Sequence, residues 1–229
     1  MLTNAYCLVT NEASENFYSV FEGELAGDIP MVKTSIANNS ILIGLHCAGN
    51  KNGILVPQDT NDQEFQHLRN NLPDKVVVQR IDEGPFYLRR YISCNDHIAL
   101  TQRDLNCEAE ELIGDVLGVD VFKQTVDGEV FVGDYCSFTN NGGLVPPHTS
   151  FKELEELSVL LQVPLVTGTV NGGRRTISGG MIVNDWTAFC GSATTDTELS
   201  VIESVFKLNK AQPSMIVGEM RKLRIDSYV

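Results

Sequence analysis

A repeat of about 45 residues is the feature that most constrains how this chain can fold. The run Asn-Gly-Ile-Leu-Val-Pro at 52–57 recurs 89 residues later as Asn-Gly-Gly-Leu-Val-Pro at 141–146. Because 89 is about twice 45, we expect one copy between these two and others outside them. The 229 residues then divide into five repeats with the approximate bounds 1–36, 37–82, 83–130, 131–177 and 178–229.

A set of helix positions accompanies each copy of the run. Thr60, Glu64, Leu68 and Leu72 match Thr149, Glu153, Leu157 and Leu161. A shift of +45 carries the second set onto Thr194, Glu198, Ile202 and Phe206, and a shift of −45 carries its last three members onto Glu108, Leu112 and Val116. An asparagine also opens each predicted unit, at Asn4, Asn52, Asn95, Asn141 and Asn184.

Within a unit, local signals predict the order strand, turn, strand, helix, strand. Asn-Gly at 52 and 141 and Asn-Asp at 95 and 184 predict tight hairpin turns, because these residues tolerate positive φ. Capping boxes predict the helix starts, because a hydroxyl and a side-chain acceptor three residues later satisfy free amides. The boxes are Thr60-x-x-Gln63, Ser150-x-x-Glu153 and Thr195-x-x-Glu198. The predicted strands include Ile41–Leu45, Ile54–Val56, Val76–Val78, Val119–Phe122 and Pro164–Val166.

A unit of this size cannot bury its apolar face without neighbours, so the repeats are expected to pack side by side. We therefore predict one α/β domain, 1–229, closed into a ring. The first strand of repeat one is expected to be absent, since only Met1, Leu2 and Thr3 precede Asn4. Either the start of the chain is truncated, or the stretch Leu223–Val229 fills that edge.

Charge and cysteine content restrict the classes of partner. The formal net charge of −13 argues against a surface that neutralises nucleic-acid phosphates and favours basic protein partners. The six cysteines are dispersed without a C-x-x-C pair, which predicts reduced thiols in the cytosol or nucleus. No metal site is expected, because the four histidines, His46, His67, His97 and His148, share no metal-ligand spacing. No apolar run approaches the roughly 20 residues of a membrane span, so no membrane association is expected.

Several unbroken runs resemble the translation initiation factor 6 proteins, and the resemblance extends over essentially the whole chain. They include Leu2–Val9, Ser14–Ser19, Cys94–Asp96, Asp115–Val119, Leu160–Val166, Val183–Trp186 and Glu198–Phe206. The resemblance implies a pentein, which is a five-bladed α/β propeller with pseudo-fivefold symmetry. It also implies a monomer that has no enzymatic activity and needs no cofactor.

The family resemblance further implies a role on the ribosome. Such proteins bind the intersubunit face of the large (60S) subunit, near ribosomal proteins of the L14 and L24 families and the sarcin–ricin loop, and prevent premature joining of the small subunit. They take part in large-subunit biogenesis and export, and a GTPase with its cofactor protein releases them. The expected locations are cytoplasm, nucleus and nucleolus.

Carrying the family's interface onto this sequence gives six expected contact residues: Leu45, Lys51, Asn52, Arg89, Arg90 and Asn95. Two of these depart from the family pattern. Leu45 stands where an arginine is usual, and Arg90 stands where the family has an asparagine. Contacts on this face are therefore expected to differ in detail.

A second functional hypothesis uses Cys190 as a nucleophile with His97 or His148, as in penteins that hydrolyse guanidine compounds. The competing interpretation is a buried, inert thiol in the apolar strand around Cys190, and this is favoured. Other candidates also have two interpretations. Arg89-Arg90 and Arg174-Arg175 could contact phosphate or an acidic partner, or be solvated, and Trp186 could anchor an interface or pack internally.

Overall fold

The computed structural model describes residues 1–25, 27, 29–82 and 87–208. The helices within these residues are α1 (Glu15–Leu25), α2 (Ile43–His46), α3 (Asp62–Asn71), α4 (Leu88–Tyr91), α5 (Cys107–Leu117), α6 (Val132–Tyr135), α7 (Phe151–Leu161), α8 (Ile177–Gly180) and α9 (Asp196–Phe206). The strands are β1 (Cys7–Thr10), β2 (Met31–Thr34), β3 (Ala48–Gly49), β4 (Gly53–Pro57), β5 (Val77–Ile81), β6 (Ile92–Cys94), β7 (Ile98–Thr101), β8 (Asp120–Lys123), β9 (Ser137–Phe138), β10 (Gly143–Val145), β11 (Leu165–Thr167), β12 (Met181–Val183) and β13 (Ala188–Cys190).

The described strands form five small sheets, which are the blades of the propeller. Three blades have the orders β3-β4-β5, β6-β7-β8 and β11-β10-β9. In each of these a short antiparallel pair is followed by a long helix and a parallel strand, as the predicted unit requires. The first blade contains the parallel pair β1-β2, and the fifth contains the antiparallel pair β12-β13 within the described residues. The predicted edge segment Leu223–Val229 lies outside the described residues.

The predicted strand Ile41–Leu45 is wrong. Its second half belongs to the one-turn helix α2, and the strand that pairs with β4 is the shorter β3. Equivalent one-turn helices precede the strands of the next three blades, and each begins with a buried aliphatic residue: Ile43, Leu88, Val132 and Ile177. A short apolar run cannot by itself distinguish a strand from one helical turn, which explains the error.

The helix starts confirm one of the predicted capping boxes and correct two details. Thr195 caps α9 in a reciprocal box with Glu198, as predicted. Helix α3 is capped by Asn61 and not by Thr60, and its box partner is Glu64. Ser150 does accept a hydrogen bond from the Glu153 backbone, but the Glu153 carboxylate accepts from the Asp127 backbone at 2.8 Å.

The shift of −45 onto the third repeat is also corrected. Helix α5 is capped by Asn106, whereas the cap of α7 is Ser150, so the structural offset is 44. Ile113, which is fully buried, therefore occupies the place equivalent to Leu157, and Leu112 is only partly buried. The third and fourth repeats are thus 44 residues apart, and helical packing decides which face of α5 is buried.

The predicted hairpin turns exist, and they do not use the positive φ that their residues tolerate. Neither Asn52 nor Asn95 has positive φ. Positive φ is found instead in the turns that follow the parallel strands, at 37–39, 127–128 and 171–173. At the hairpins, a side-chain oxygen accepts hydrogen bonds from the backbone amides of the turn.

The core lies between neighbouring blades. In one cluster Leu8 of the first blade packs with Ile54 and Leu68 of the second. In another, Leu100 of the third blade packs with Val145 and Leu157 of the fourth. A blade thus buries its apolar face against the next one, which is the packing that the repeat predicts. Among the described helices, none is both long and apolar enough to cross a membrane.

Candidate interaction surface

Five hairpin turns meet on the axis of the propeller, and each is held by one side-chain oxygen. In the second blade, Asn50 Oδ1 accepts hydrogen bonds from the backbone amides of Asn52 at 2.9 Å and Gly53 at 3.2 Å. Thr3, Asn95, Thr139 and Asn184 occupy the equivalent position and also accept from the backbone that follows. In turns of this type a side-chain oxygen accepts hydrogen bonds from backbone amides two or three residues later, and the turn forms without a residue at positive φ.

The residue after each of these five positions points to the axis, and together they form the axial ring: Asn4, Lys51, Asp96, Asn140 and Asp185. The Asn140 Nδ2 group donates to Asp96 Oδ2 at 2.8 Å and to Asp185 Oδ2 at 2.7 Å, and Asn4 Nδ2 donates to the same two oxygens. Burial of Asp96 raises its pKa, but the hydrogen bonds from Asn140 and Asn4 outweigh burial and lower the pKa overall. The ring therefore holds an ionised carboxylate on the axis.

Three of the six expected contact residues lie at these turns. Lys51 leaves about half of its side chain exposed (46%), and its Nζ lies 3.4 Å from Asp96 Oδ2. The Asn52 side-chain amide donates to Leu117 O at 2.8 Å. Asn95 is buried, and its amide donates to Thr139 O at 3.2 Å. Of the three residues, Lys51 is exposed, Asn52 is partly buried and Asn95 is buried.

Leu45 and the two arginines lie at the other end of the short strands, on the one-turn helices. The helices α2, α4, α6 and α8 pack against one another in that order. Leu45 is 37% exposed on α2, beside Ile41 and Leu42, which are about half exposed. With Phe17 of α1 they border the mouth of one cavity, and these four residues are called the apolar rim: Phe17, Ile41, Leu42 and Leu45.

Arg89 and Arg90 differ sharply although they are adjacent on α4. The Arg90 Nε donates to Asp134 Oδ2 at 2.8 Å, and its guanidinium lies 4.2 Å above the Phe131 ring. The hydrogen bond to Asp134 raises the pKa of Arg90. Arg89 instead lines the cavity behind the apolar rim, and burial lowers its pKa. The sequence predicted a single basic pair, but the helix turns the two charges in different directions.

This cavity, the axial cavity, has a volume of about 500 Å³. Its walls run from the one-turn helices to Gly49, Cys94 and Phe138, which also border the axial ring. The cavity thus lies between the one-turn helices and the axial ring, beside Met1 and Leu2 at the start of the chain. Sequence reasoning missed both features, because the residues that form them are separated by up to 181 positions.

The candidate nucleophile does not form a catalytic constellation in the described part of the chain. Cys190 lies in β13 and is half-buried, and burial raises its pKa. Neither His97 nor His148 shares a hydrogen bond with it. A protonated thiol without an adjacent base is a poor nucleophile. No group of three or more His, Cys, Asp or Glu side chains within the described residues is arranged to hold a metal ion.

The other candidate residues from the sequence lie at separate places in the structure. Trp186 lies on a hairpin turn at the axis and is 47% exposed. Arg175 pairs with Asp127, and Arg174 is exposed in the same turn. His46 packs against the Tyr87 ring, and His67 contacts the Lys33 carbonyl oxygen at 2.9 Å.

Comparison with known proteins supports the fold and gives the family. A solved structure of DDAH from Pseudomonas aeruginosa, in complex with citrulline, superposes with a TM-score of 0.56 over 88% of this chain and 89% of the other. The two sequences are 10% identical, so the likeness concerns the fold alone. The fold is a pentein, as the resemblance implied.

Sequence relatives are much closer. The chain is 65% identical to eukaryotic translation initiation factor 6-2 of Arabidopsis thaliana, over 100% of this chain and 93% of the relative. It is 56% identical to eukaryotic translation initiation factor 6 of Saccharomyces cerevisiae, over 99% and 92%. The family model described as "eIF-6 family" matches residues 1–205. The chain therefore belongs to the eIF-6 family.

Proposed function

We propose that this protein binds the intersubunit face of the large (60S) ribosomal subunit and prevents premature joining of the small subunit. The observation that carries the proposal is the 65% identity, over the full chain, to a protein named eukaryotic translation initiation factor 6-2. The mechanism is steric. A rigid disc that occupies a site of intersubunit contact needs affinity and bulk, and no transition state has to be stabilised.

The apolar rim supports a role in binding another macromolecule. Its four side chains are 37–49% exposed and lie together on one face. Contiguous exposed apolar side chains are typical of interaction sites, whereas isolated ones are not. Arg90 adds a charge on the neighbouring helix α4, although Asp134 already pairs with it. Leu45 and Arg90, both expected from the sequence as contacts, thus lie on adjacent one-turn helices.

The net charge supports basic proteins as the first contacts. A chain with a formal charge of −13 is attracted to basic ribosomal proteins and repelled by bare rRNA. This favours docking on proteins of the L14 and L24 families next to the sarcin–ricin loop. The association rate should then fall as ionic strength rises, because salt screens charge attraction beyond about 8–10 Å.

The proposal extends to the cellular role. The protein acts as a monomer in large-subunit biogenesis and export, passes between nucleolus, nucleus and cytoplasm, and is released by a GTPase with its cofactor protein. Family membership supports these steps. Regulation would act on dissociation, since interface area alone does not set the residence time.

The test is sedimentation of the protein with separated ribosomal subunits. We expect it to move with the large subunit and to reduce the amount of joined ribosomes. Leu45→Glu should weaken co-sedimentation, because it buries a charge in the apolar rim contact. Val159→Glu is the matched control, because Val159 is 74% exposed on α7, outside the rim. Failure of the wild-type protein to bind isolated large subunits would refute the proposal.

A further inference from the structure

The outer edge of the third blade is open. Among the described strands β8 pairs with β7 alone, so its other side has no neighbouring strand. The backbone amides of Asp120 and Gln124 donate hydrogen bonds toward β7, at 3.1 and 2.9 Å. Because backbone groups alternate between the two sides of a strand, those of Val121 and Lys123 point away from β7. No other hydrogen bond within the described residues engages these backbone groups, so they are available to one further strand.

Helix α5 runs beside this edge and forms one wall of a groove, here called the third-blade groove, whose volume is about 860 Å³. Asp120 and Val121 of β8 lie on its other side. The wall is a stripe of residues three and four positions apart: Cys107, Glu110, Glu111, Gly114, Asp115 and Gly118. At a rise of about 1.5 Å per residue the stripe is about 17 Å long, which equals about five residues of extended chain.

The third-blade groove is acidic. Four carboxylates line it, those of Glu110, Glu111, Asp115 and Asp120. The Lys123 ammonium group pairs with the first of these, at 2.9 Å from Glu110 Oε2. The other three side chains are exposed and have no ion-pair partner within the part of the chain that the structure describes. Carboxylates placed in this way repel a phosphate backbone and attract Lys and Arg side chains, so the charge of the groove favours a basic protein segment over nucleic acid.

The open edge and the acidic wall together fit one kind of partner. A peptide in extended conformation can continue a sheet at an open edge, because its backbone bonds to that of the edge strand. The side chains of such a peptide alternate between two faces, so every second one would lie toward α5. Basic residues at every second position would therefore meet Glu111 and Asp115, which are four positions apart on the same side of the helix.

We infer that the third-blade groove binds an extended, basic segment of a partner protein, which adds a strand to β8 and places its basic side chains against the carboxylates of α5. The groove shares no residue with the apolar rim, the axial cavity or the six expected ribosome contacts. It is therefore a second interaction surface, and its occupation goes beyond the proposed binding to the ribosome. Its test needs only the isolated protein.

Fluorescence polarisation at low ionic strength, with the labelled and amidated peptide Lys-Val-Lys-Val-Lys as the basic probe, tests the inference. We expect saturable binding of this probe and no binding of the acidic counterpart Glu-Val-Glu-Val-Glu. A probe of the basic sequence with methylated backbone nitrogens keeps the charge and the side chains but cannot donate hydrogen bonds to β8. It should bind at least about tenfold more weakly than the unmethylated probe.

The double variant Glu111→Gln/Asp115→Asn tests the location of the site. Because an ion pair at the surface contributes little, the loss of two such pairs should raise the dissociation constant of the basic probe about fivefold. The matched control is Glu155→Gln/Glu156→Gln, which removes the same charge from exposed positions of α7 and should leave the constant nearly unaltered. Circular dichroism of each variant establishes that it is folded.

The inference is overturned if the wild-type protein shows no saturable binding of the basic probe, if the methylated probe binds equally well, or if the two double variants weaken binding to the same extent. Either of the last two results would mean that the acidic chain attracts the peptide through its overall charge, without a strand added to β8 or without the groove.

Discussion

The side-chain amide of Asn184 donates a hydrogen bond to the backbone carbonyl oxygen of Thr3, at 3.1 Å, and this contact joins the fifth blade to the first. A second bond beside it runs from the Asp185 backbone amide to Asn4 Oδ1, at 3.0 Å. The same two types of contact connect the second blade to the third. Ring closure at the axis therefore uses the bonds that link blades elsewhere, although its partners are 181 residues apart.

The closing contact predicts a large effect of Asn184→Ala. The substitution removes the bond to Thr3 and also the acceptor of the Trp186 and Thr187 backbone amides. Because each buried group left without a partner costs about 1–3 kcal/mol, we expect the free energy of unfolding to fall by about 2–4 kcal/mol. Urea denaturation followed by circular dichroism measures this change.

Asn184→Thr separates the two roles of the side chain. Threonine occupies the equivalent position in the first and fourth blades, and Thr3 Oγ1 accepts from the amides of Ala5 and Tyr6. The variant should keep the turn and lose only the bond between blades, at a cost of about 1 kcal/mol. Equal losses for the alanine and threonine variants would contradict this division of roles.

The predictable parts of the structure are those determined by residues that lie close together in the sequence. The repeat and the apolar spacing identified the buried positions Leu68 and Leu157, and the capping pattern located the start of α9. The start of α3 was misplaced by one residue because Thr60 and Asn61 are both acceptable caps. Sequence alone could not reveal the axial ring, because its hydrogen bonds join residues that only the closed propeller brings together.

Two glycine substitutions should change stability in opposite directions. An added Cβ at Gly142 would overlap the Val205 carbonyl oxygen of α9, so Gly142→Ala forces backbone to move and should destabilise by about 1–3 kcal/mol or more. A Cβ at Gly23, inside α1, would meet nothing within 4 Å, so Gly23→Ala should stabilise by about 0.5–1 kcal/mol. Thermal unfolding of both variants gives the signs, and a stable Gly142→Ala protein would contradict the close packing of this turn.

The arrangement around Cys190 predicts that the protein does not hydrolyse guanidine compounds. The thiol has a raised pKa because of burial, and neither His97 nor His148 shares a hydrogen bond with it in the described residues. Incubation with arginine, methylarginines and agmatine should therefore yield no citrulline or ammonia above a blank. Turnover that disappears in Cys190→Ala would instead establish the hydrolase alternative.

Glu198 predicts a specific dependence of stability on pH. Burial raises the pKa of its carboxyl group, but donors outweigh burial and lower the pKa to about 2. These donors are the backbone amides of Thr195, Gly173 and Gly172 and the Thr169 hydroxyl. Since the folded-state pKa lies below the ordinary value of 4.5, the stabilisation is complete above pH 4.5 and is lost as pH falls toward 2.

The variant Glu198→Gln should therefore be less stable than the wild type at neutral pH, and the difference in the free energy of unfolding should shrink below pH 4.5. It shrinks because the wild-type carboxylate becomes protonated and loses its charge-assisted hydrogen bonds, while glutamine does not titrate. Glu155→Gln, on the exposed face of α7, is the matched control and should show no such change. Urea titrations from pH 7 to pH 3 decide the matter, since a difference that stays constant to pH 3 would mean that the ionised Glu198 does not hold the turn at 171–173.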